Sequence, residues 1–154
     1  MRVVRAAAAF PFTVHEAESL WYDTARWPTW VDGLAHVAKI EGPWPEPGSV
    51  VIWDSFPAGR GRVVERVVTH APLGGQSTEV EDDSIRGRQS VAFAATEGGV
   101  DVELVLAYEI KKRSIVTPLV DVLFIRRAMT MSLATTLRRF GVELEATRDL
   151  GLAR

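Results

Sequence analysis

The sequence contains no cysteine among its 154 residues. Disulfide bonds, thiolate nucleophiles and cysteine-ligated metal sites are therefore excluded. A single domain of this length buries roughly 70% of the surface that its unfolded chain exposes, so it needs neither a disulfide nor a metal for stability. The absence of cysteine fits a reducing compartment, and we expect a cytoplasmic protein.

The sequence also lacks an excess of basic charge and a long apolar run. Lysine and arginine number 18 against 20 aspartates and glutamates. Nucleic-acid-binding domains usually carry a basic excess, so no nucleic-acid partner is expected. The most apolar stretch, residues 115–125, is interrupted by Pro118 and Asp121 and is too short to span a membrane. The N-terminal apolar residues are interrupted by Arg5 and closed by Pro11, and we interpret them as mature chain.

Motifs for metal, phosphate or nucleophilic chemistry are missing as well. The histidines His15, His36 and His70 do not have the spacing of metal ligands. The glycines at residues 59–61 lack the strand-and-helix context of a dinucleotide site. We interpret the acidic run 79–83 as a solvated strand face. The sequence therefore predicts no metal and no cofactor, and it identifies no catalytic residue.

One strand and a helix are predicted at the N-terminus. Residues 2–10 are a candidate strand. Thr13 and Glu16 have the spacing of a capping box. The apolar residues that follow recur on one helical face, so this helix should end near Asp23.

Two tryptophans flank a proline immediately after this helix. Pro28 suits the first turn of a second short helix, which places Trp27 at the junction and Trp30 on the helix. An indole combines a large apolar surface with one hydrogen-bond donor, which suits a ligand of mixed polarity. Core packing is the favoured interpretation for Trp27, whereas for Trp30 and Trp53 core packing and cavity lining remain open.

Six further strands are predicted from alternating apolar and polar residues and from the turn residues between them. They are residues 36–41, 49–56, 60–70, 76–83, 85–96 and 100–112. Gly59, Gly61 and Gly87 are candidates for bends or bulges that increase sheet curvature. The strand at 60–70 is ambiguous because Val63, Glu65 and Val67 form one face, Val64, Arg66 and Val68 form the other, and both carry charge.

A long C-terminal helix is predicted from apolar residues at steps of three or four. These are Val122, Ile125, Met129, Leu133, Leu137, Phe140 and Leu144. Thr117 is a candidate cap and Pro118 a candidate first helical residue. The helix would run for about 28 residues, or ~42 Å. Gly141 is a weak point at which it would bend or end.

This order of elements predicts an α+β fold. Consecutive hairpins give an antiparallel sheet of six to seven strands, and the helices are segregated from it. One helix covers a strip only about 10 Å wide, so the sheet must curve around it. Space remains between them, and the two short helices after the first strand would close one end of it.

The segment from Ala17 to Val37, with its Asp23–Trp30 core, resembles the START-like superfamily, also called SRPBCC. The strand run containing Gly48–Trp53 and the long terminal helix extend the resemblance to nearly the whole chain. It is similar to the polyketide cyclase/dehydrase branch. The resemblance implies a helix-grip fold over residues 1–154, as a single domain, with a hydrophobic-ligand cavity between sheet and helix. It does not imply a reaction.

Inward-facing positions of the sheet and helix are the candidate ligand-binding residues. Gln89 shares its alternation with Val91 and Phe93, and Tyr108 shares its alternation with Leu104. The complete candidate set is Trp30, Trp53, Gln89, Val91, Phe93, Leu104, Tyr108, Met129 and Leu133.

Three functions remain open. The favoured one is binding of a hydrophobic small molecule, such as a lipid, an isoprenoid or a polyketide-like compound. The second is a cyclase or aromatase, in which Tyr108, Gln89 or Arg66 would donate hydrogen bonds to an enolate. The third is a protein-interaction module, in its simplest form a homodimer through the apolar start of the long helix.

Overall fold

The computed structural model describes residues 1–111 and 119–151, and these form one seven-stranded antiparallel sheet and three α-helices. The strands are β1 (Arg2–Phe10), β2 (Leu34–Glu41), β3 (Val50–Ser55), β4 (Arg62–Ala71), β5 (Gly75–Glu81), β6 (Ile85–Ala95) and β7 (Val100–Ile110). The helices are α1 (Val14–Trp21), α2 (Trp27–Trp30) and α3 (Leu119–Asp149), with a 3₁₀ turn at Thr24–Arg26. The predicted α+β helix-grip architecture is confirmed.

The sheet is a meander with one long-range addition. Its order is β1-β7-β6-β5-β4-β3-β2, so every pair of neighbours from β2 to β7 is consecutive in the chain. Strand β1 pairs with β7, with Arg2 opposite Tyr108 and Phe10 opposite Val100. The buried side chains alternate along β4, β5 and β7, which gives the sheet one apolar face toward the helices.

The two short helices form as their local sequence predicts. The amide of Glu16 donates to Thr13 Oγ1 at 3.1 Å, and the amide of Thr13 donates to Glu16 Oε1 at 3.1 Å, which completes the capping box. Helix α1 ends at Trp21, and Pro28 lies in the first turn of α2, where its missing N–H has no helical partner to lose.

Helix α3 continues through Gly141, so of the two outcomes predicted there the end is wrong, and a bend stays a prediction. A Cβ built on Gly141 would lie 2.6 Å from Cε1 of Phe10, so the glycine makes room for that ring. The candidate cap Thr117 and the candidate first residue Pro118 lie outside the described residues.

Of the bends or bulges predicted at three glycines, the bulges are wrong, and a bend there stays a prediction. Gly59 and Gly61 lie in the connection between β3 and β4, and Gly87 pairs in regular register with Tyr108. A Cβ on Gly87 would lie 2.0 Å from the carbonyl oxygen of Ala107, so close strand approach explains this glycine. The register shifts that are described fall instead in β2, between residues 34 and 39, and in β4, between residues 67 and 69.

An aromatic cluster joins the short helices to α3. The ring centroids of Trp21, Trp30 and Phe140 lie 4.7–5.1 Å from one another. Phe10 of β1 meets Phe140 edge-on at 5.8 Å. The Nε1 atom of Trp27 donates to the carbonyl oxygen of Trp21 at 2.8 Å, which fixes α2 against α1. This cluster positions one wall of the cavity described next.

Candidate functional site

A cavity of about 60 Å³ lies between the inner face of the sheet, the short helices and α3. It has room for a few water molecules and is well below the roughly 300–1,000 Å³ of most ligand pockets. Its wall combines indole rings and aliphatic side chains with charged and hydrogen-bonding groups. The cavity is thus smaller and more polar than a sheet curved around one helix suggests.

Six of the nine candidate binding residues line this cavity. They are Trp30, Trp53, Gln89, Val91, Leu104 and Leu133. They come from α2, β3, β6, β7 and α3, so the fold brings together residues far apart in the chain. Their contact with a ligand stays a prediction.

The other three candidates lie elsewhere in the core. Phe93 packs edge-on against Trp21 at 6.0 Å, Tyr108 is fully buried, and Met129 is half-buried against the core cluster. Tyr108 lies four residues beyond Leu104, about 13 Å along the strand at ~3.3 Å per residue. Inward orientation alone therefore does not place a residue on the cavity, because the cavity occupies only part of the inner face.

The inner face of β4 includes Glu65, which resolves the ambiguity of that strand. Val63, Glu65 and Val67 are buried, whereas Arg66 is exposed on the outer face. The pairing of Val63 with Trp53 carries the signal, because directly opposed residues share a face and Trp53 points inward. Arg66 is thereby excluded as an enolate donor inside the cavity.

Glu65 lies on the cavity wall in a hydrogen bond with Trp53. The Nε1 atom of Trp53 donates to Glu65 Oε2 at 2.6 Å, and Thr78 Oγ1 makes a long 3.5 Å contact with Oε1. Burial raises the pKa of the Glu65 carboxyl above its ordinary 4.5, and Trp53, the Arg60 charge and Thr78 offset only part of this rise. Glu65 thus binds a proton more readily than an exposed glutamate.

Arg60 and Asp82 form a second polar group beside the cavity. Arg60 Nε donates to Asp82 Oδ2 at 2.6 Å, and the side chain of Asp82 is 1% exposed. Asp82 Oδ1 also accepts the amides of Ser84 and Ile85 at 2.7 and 2.9 Å. The Arg60 guanidinium lies 5.5 Å from the centroid of the Trp53 indole, which supports it from one side.

Sequence reasoning did not select Arg60, Gln76 or Thr78 as binding residues, although all three line the cavity. Arg60 lies in a connection, where no periodicity shows its direction. Gln76 and Thr78 share the two-residue period of Val80 along β5, and all three are buried. This shared period with an apolar residue was the signal that the sequence offered.

Asp32 joins α2 to α3 at the edge of the cavity. Ser132 Oγ donates to Asp32 Oδ2 at 2.8 Å, and the amide of Asp32 donates to Thr136 Oγ1 at 3.0 Å. Arg139 Nη1 lies 3.4 Å from Asp32 Oδ1. These contacts hold the C-terminal end of α2 to the middle of α3.

The remaining surface offers fewer chemical features. Glu79 and Glu81 are exposed, with Arg88 and Lys111 as ion-pair partners. In the described ranges, no cluster of three or more acidic or histidine side chains could hold a metal ion. Nor is any helix in these ranges long and apolar enough to cross a membrane.

The start of α3 carries an exposed aromatic residue. Phe124 is 72% exposed there, and a homodimer through this surface stays a prediction.

Replacing Glu65 with glutamine should remove a pH dependence of stability. Folding raises the pKa of Glu65. The stabilisation that Glu65 contributes is therefore complete below its pKa in the unfolded chain and is lost as pH rises through its pKa in the folded chain. Glutamine does not titrate and keeps an oxygen for Trp53 Nε1. Above about pH 4.5 we expect the free energy of unfolding of the variant to rise relative to that of the wild type. The relative rise is up to about 1.4 kcal/mol per pH unit between the unfolded and the folded pKa of Glu65. Urea unfolding by circular dichroism between about pH 4 and pH 8 measures this, and parallel curves would contradict it.

Comparison with known structures places this architecture in a recognised class of fold. The sequence matches no protein-family model and no curated protein. A START superfamily protein from Mycobacterium smegmatis superposes with a TM-score of 0.75 at 12% identity, over 94% of this chain and 97% of that one. A protein from Thermus thermophilus gives a TM-score of 0.72 at 19% identity, over 95% and 99%.

The di-domain ARO/CYC StfQ from the steffimycin biosynthetic pathway is a third similar structure. It gives a TM-score of 0.73 at 16% identity and covers 96% of this chain, which corresponds to 51% of StfQ. The class is therefore the α+β helix-grip proteins. More specifically, the chain has the START-like fold that its sequence resembles. Identities this low establish the fold alone.

Proposed function

We propose that the chain binds a compact, mainly apolar molecule with one polar end. The observation that carries this proposal is the cavity itself, which has aliphatic and indole walls on one part and Arg60, Glu65 and Gln76 on another. Ligand pockets combine an apolar lining with a few polar groups that orient the ligand. The cavity, at about 60 Å³, is smaller than the roughly 150 Å³ that a benzene-sized ligand occupies, so binding such a ligand requires side chains of the wall to move. A compact ligand is therefore favoured over a long-chain lipid.

Val91 and Val102 provide a matched test of whether the cavity has free volume that a ligand can enter. Val91 lines the cavity, whereas Val102 faces inward on the neighbouring strand and is 0% exposed within the packed core. Val91→Ile fills space, so the free energy of unfolding should stay equal or rise by up to about 0.8 kcal/mol. Val102→Ile overpacks the core and should lower it by about 1–3 kcal/mol.

The same variants test binding with benzyl alcohol as the probe. Trp30 and Trp53 line the cavity, so intrinsic fluorescence and calorimetry should both report saturable binding by the wild-type chain. Val91→Ile should weaken it at least about threefold, because the added methyl group occupies ligand volume. Val102→Ile should leave the affinity unchanged. Failure of benzyl alcohol and toluene to bind the wild type would refute the proposed function.

A further inference from the structure

Two buried hydrogen-bond donors at the cavity have no acceptor within the described part of the chain. They are Trp30 Nε1 and Arg60 Nη2. Trp30 is 0% exposed, and both residues line the cavity. By contrast, the indole nitrogens of Trp27 and Trp53 each donate to a protein oxygen. Indole and guanidinium nitrogens can only donate, so the group that would complete this site is an acceptor.

The charge on Arg60 favours an acceptor that is negatively charged. Its Nε is engaged by Asp82, and Nη2 remains as a further donor of the same cation. Hydrogen bonds between ionised partners are about twice as strong as neutral ones. Burial away from water increases this preference. A carboxylate oxygen meets these conditions better than a hydroxyl group does.

The protonation state of Glu65 determines whether the cavity tolerates an anion. Ionised Glu65 would place a negative charge on the same small cavity as the ligand, and like charges there repel. Protonated Glu65 removes that repulsion and offers an O–H donor from the oxygen that Trp53 does not occupy. Burial, which raises the pKa of Glu65, favours the protonated form.

The other charged groups that face Glu65 across the cavity are few. Arg60 comes from the β3–β4 connection and is paired with Asp82 after β5, and Asp32 after α2 is held by Ser132 and Arg139. Strands β6 and β7 and helix α3 contribute only neutral side chains to the wall: Gln89, Val91, Leu104, Ser132, Leu133 and Thr136. Glu65 is therefore the titratable group that an added anion would affect most directly.

Building on the ligand-binding function above, we propose that the ligand is a compact apolar carboxylate that binds together with one proton on Glu65. Its carboxylate oxygens accept hydrogen bonds from Arg60 Nη2, Trp30 Nε1 and the Glu65 O–H. Its apolar part lies against Val91, Leu104 and Leu133. The cavity thus takes up an acid as a neutral unit, with the anion on the ligand and the proton on the protein.

Benzoate and benzyl alcohol separate this inference from the general proposal. Calorimetric titration of the full chain between about pH 5 and pH 9 should show benzoate binding at least about tenfold more tightly than benzyl alcohol at the acid end. The affinity for benzoate should fall by up to about tenfold per pH unit once Glu65 ionises, because binding requires the protonated form. Titrations in two buffers of different ionisation enthalpy should show proton uptake in that range.

Three variants identify the groups responsible. Glu65→Gln should keep benzoate binding and lose both its pH dependence and its proton uptake. Trp30→Phe should lower the affinity for benzoate at least about threefold more than it lowers the affinity for benzyl alcohol, because the lost indole donor binds a charged oxygen in benzoate and a neutral one in benzyl alcohol. Trp44→Phe is the matched control, because Trp44 donates to the carbonyl oxygen of Tyr22 and does not line the cavity.

The outcomes are distinguishable. Binding of neither probe would refute the proposed function and this inference with it. Equal affinity for benzoate and benzyl alcohol, or an affinity for benzoate that stays constant from about pH 5 to pH 9, would overturn the inference and leave the ligand-binding function standing.

Discussion

Replacing Phe140 with alanine lowers the free energy of unfolding by about 3–5 kcal/mol. Phe140 is fully buried, and its ring lies 4.9 Å from the Trp30 ring and 5.1 Å from the Trp21 ring. The same ring meets Phe10 of β1. The substitution therefore opens a void where α1, α2, β1 and α3 meet, and the surrounding indoles are too rigid to fill it. Urea unfolding followed by circular dichroism measures the loss.

Phe124→Ala is the control for this result. Phe124 lies on the same helix and is 72% exposed, so its removal should change the free energy of unfolding by no more than about 0.5 kcal/mol. Equal losses in the two variants would mean that helix propensity, which is common to both, dominates the effect. The aromatic cluster would then not be what attaches α3 to the short helices.

Asp82→Ala should be comparably destabilising, by about 3–5 kcal/mol. The change leaves the charge of Arg60 without its partner in a largely buried position. It also removes the acceptor of the Ser84 and Ile85 amides, which hold the β5–β6 turn. Removing one member of a buried ion pair costs far more than the pair contributes, because the remaining charge is still desolvated. Thermal and urea unfolding near neutral pH measure the loss.

Two further variants divide this effect into its parts. Asp82→Asn keeps an oxygen for the two backbone amides and removes only the charge, so its loss should be intermediate. Glu81→Ala removes an exposed carboxylate whose partner is Lys111 at 2.7 Å, and such pairs contribute about 0–1 kcal/mol. If Asp82→Ala costs no more than Glu81→Ala, the Arg60–Asp82 pair is not buried in solution.

The parts of the fold that the sequence predicted depend on local signals. The Thr13–Glu16 capping box, Pro28 in the first turn of α2 and the alternation along β7 each involve residues close in the chain. The incorrect predictions involve glycines whose neighbours are distant. Gly141 is required by the Phe10 ring, and Gly87 by the Ala107 carbonyl on the next strand. The residues adjacent to each glycine in the sequence do not indicate either of these contacts.

The apolar part of the candidate site and the polar residue Gln89 were predicted, whereas the polar residues Arg60, Gln76 and Thr78 were missed. Periodicity indicates which residues face inward, and this found Val91, Leu104 and Leu133. It does not show how far along a strand the cavity extends, so Tyr108 was included with them. The volume depends on where the indoles of Trp21, Trp30 and Trp53 lie in the cavity wall, and composition does not encode their placement.

Strand β1 precedes the other six described strands in the chain, whereas its partner β7 follows the rest of them. Its neighbour β7 ends at residue 110, whereas all other paired strands are joined by short connections. Long-range pairing forms slowly, because a large loop must close before the contacts that reward it exist. During synthesis, the consecutive hairpins of the β2–β7 meander can therefore begin to form before residues 2–10 pair with β7. Completion of the fold also requires α3, which follows β7 in the chain, because Phe140 on this helix contacts Phe10 of β1.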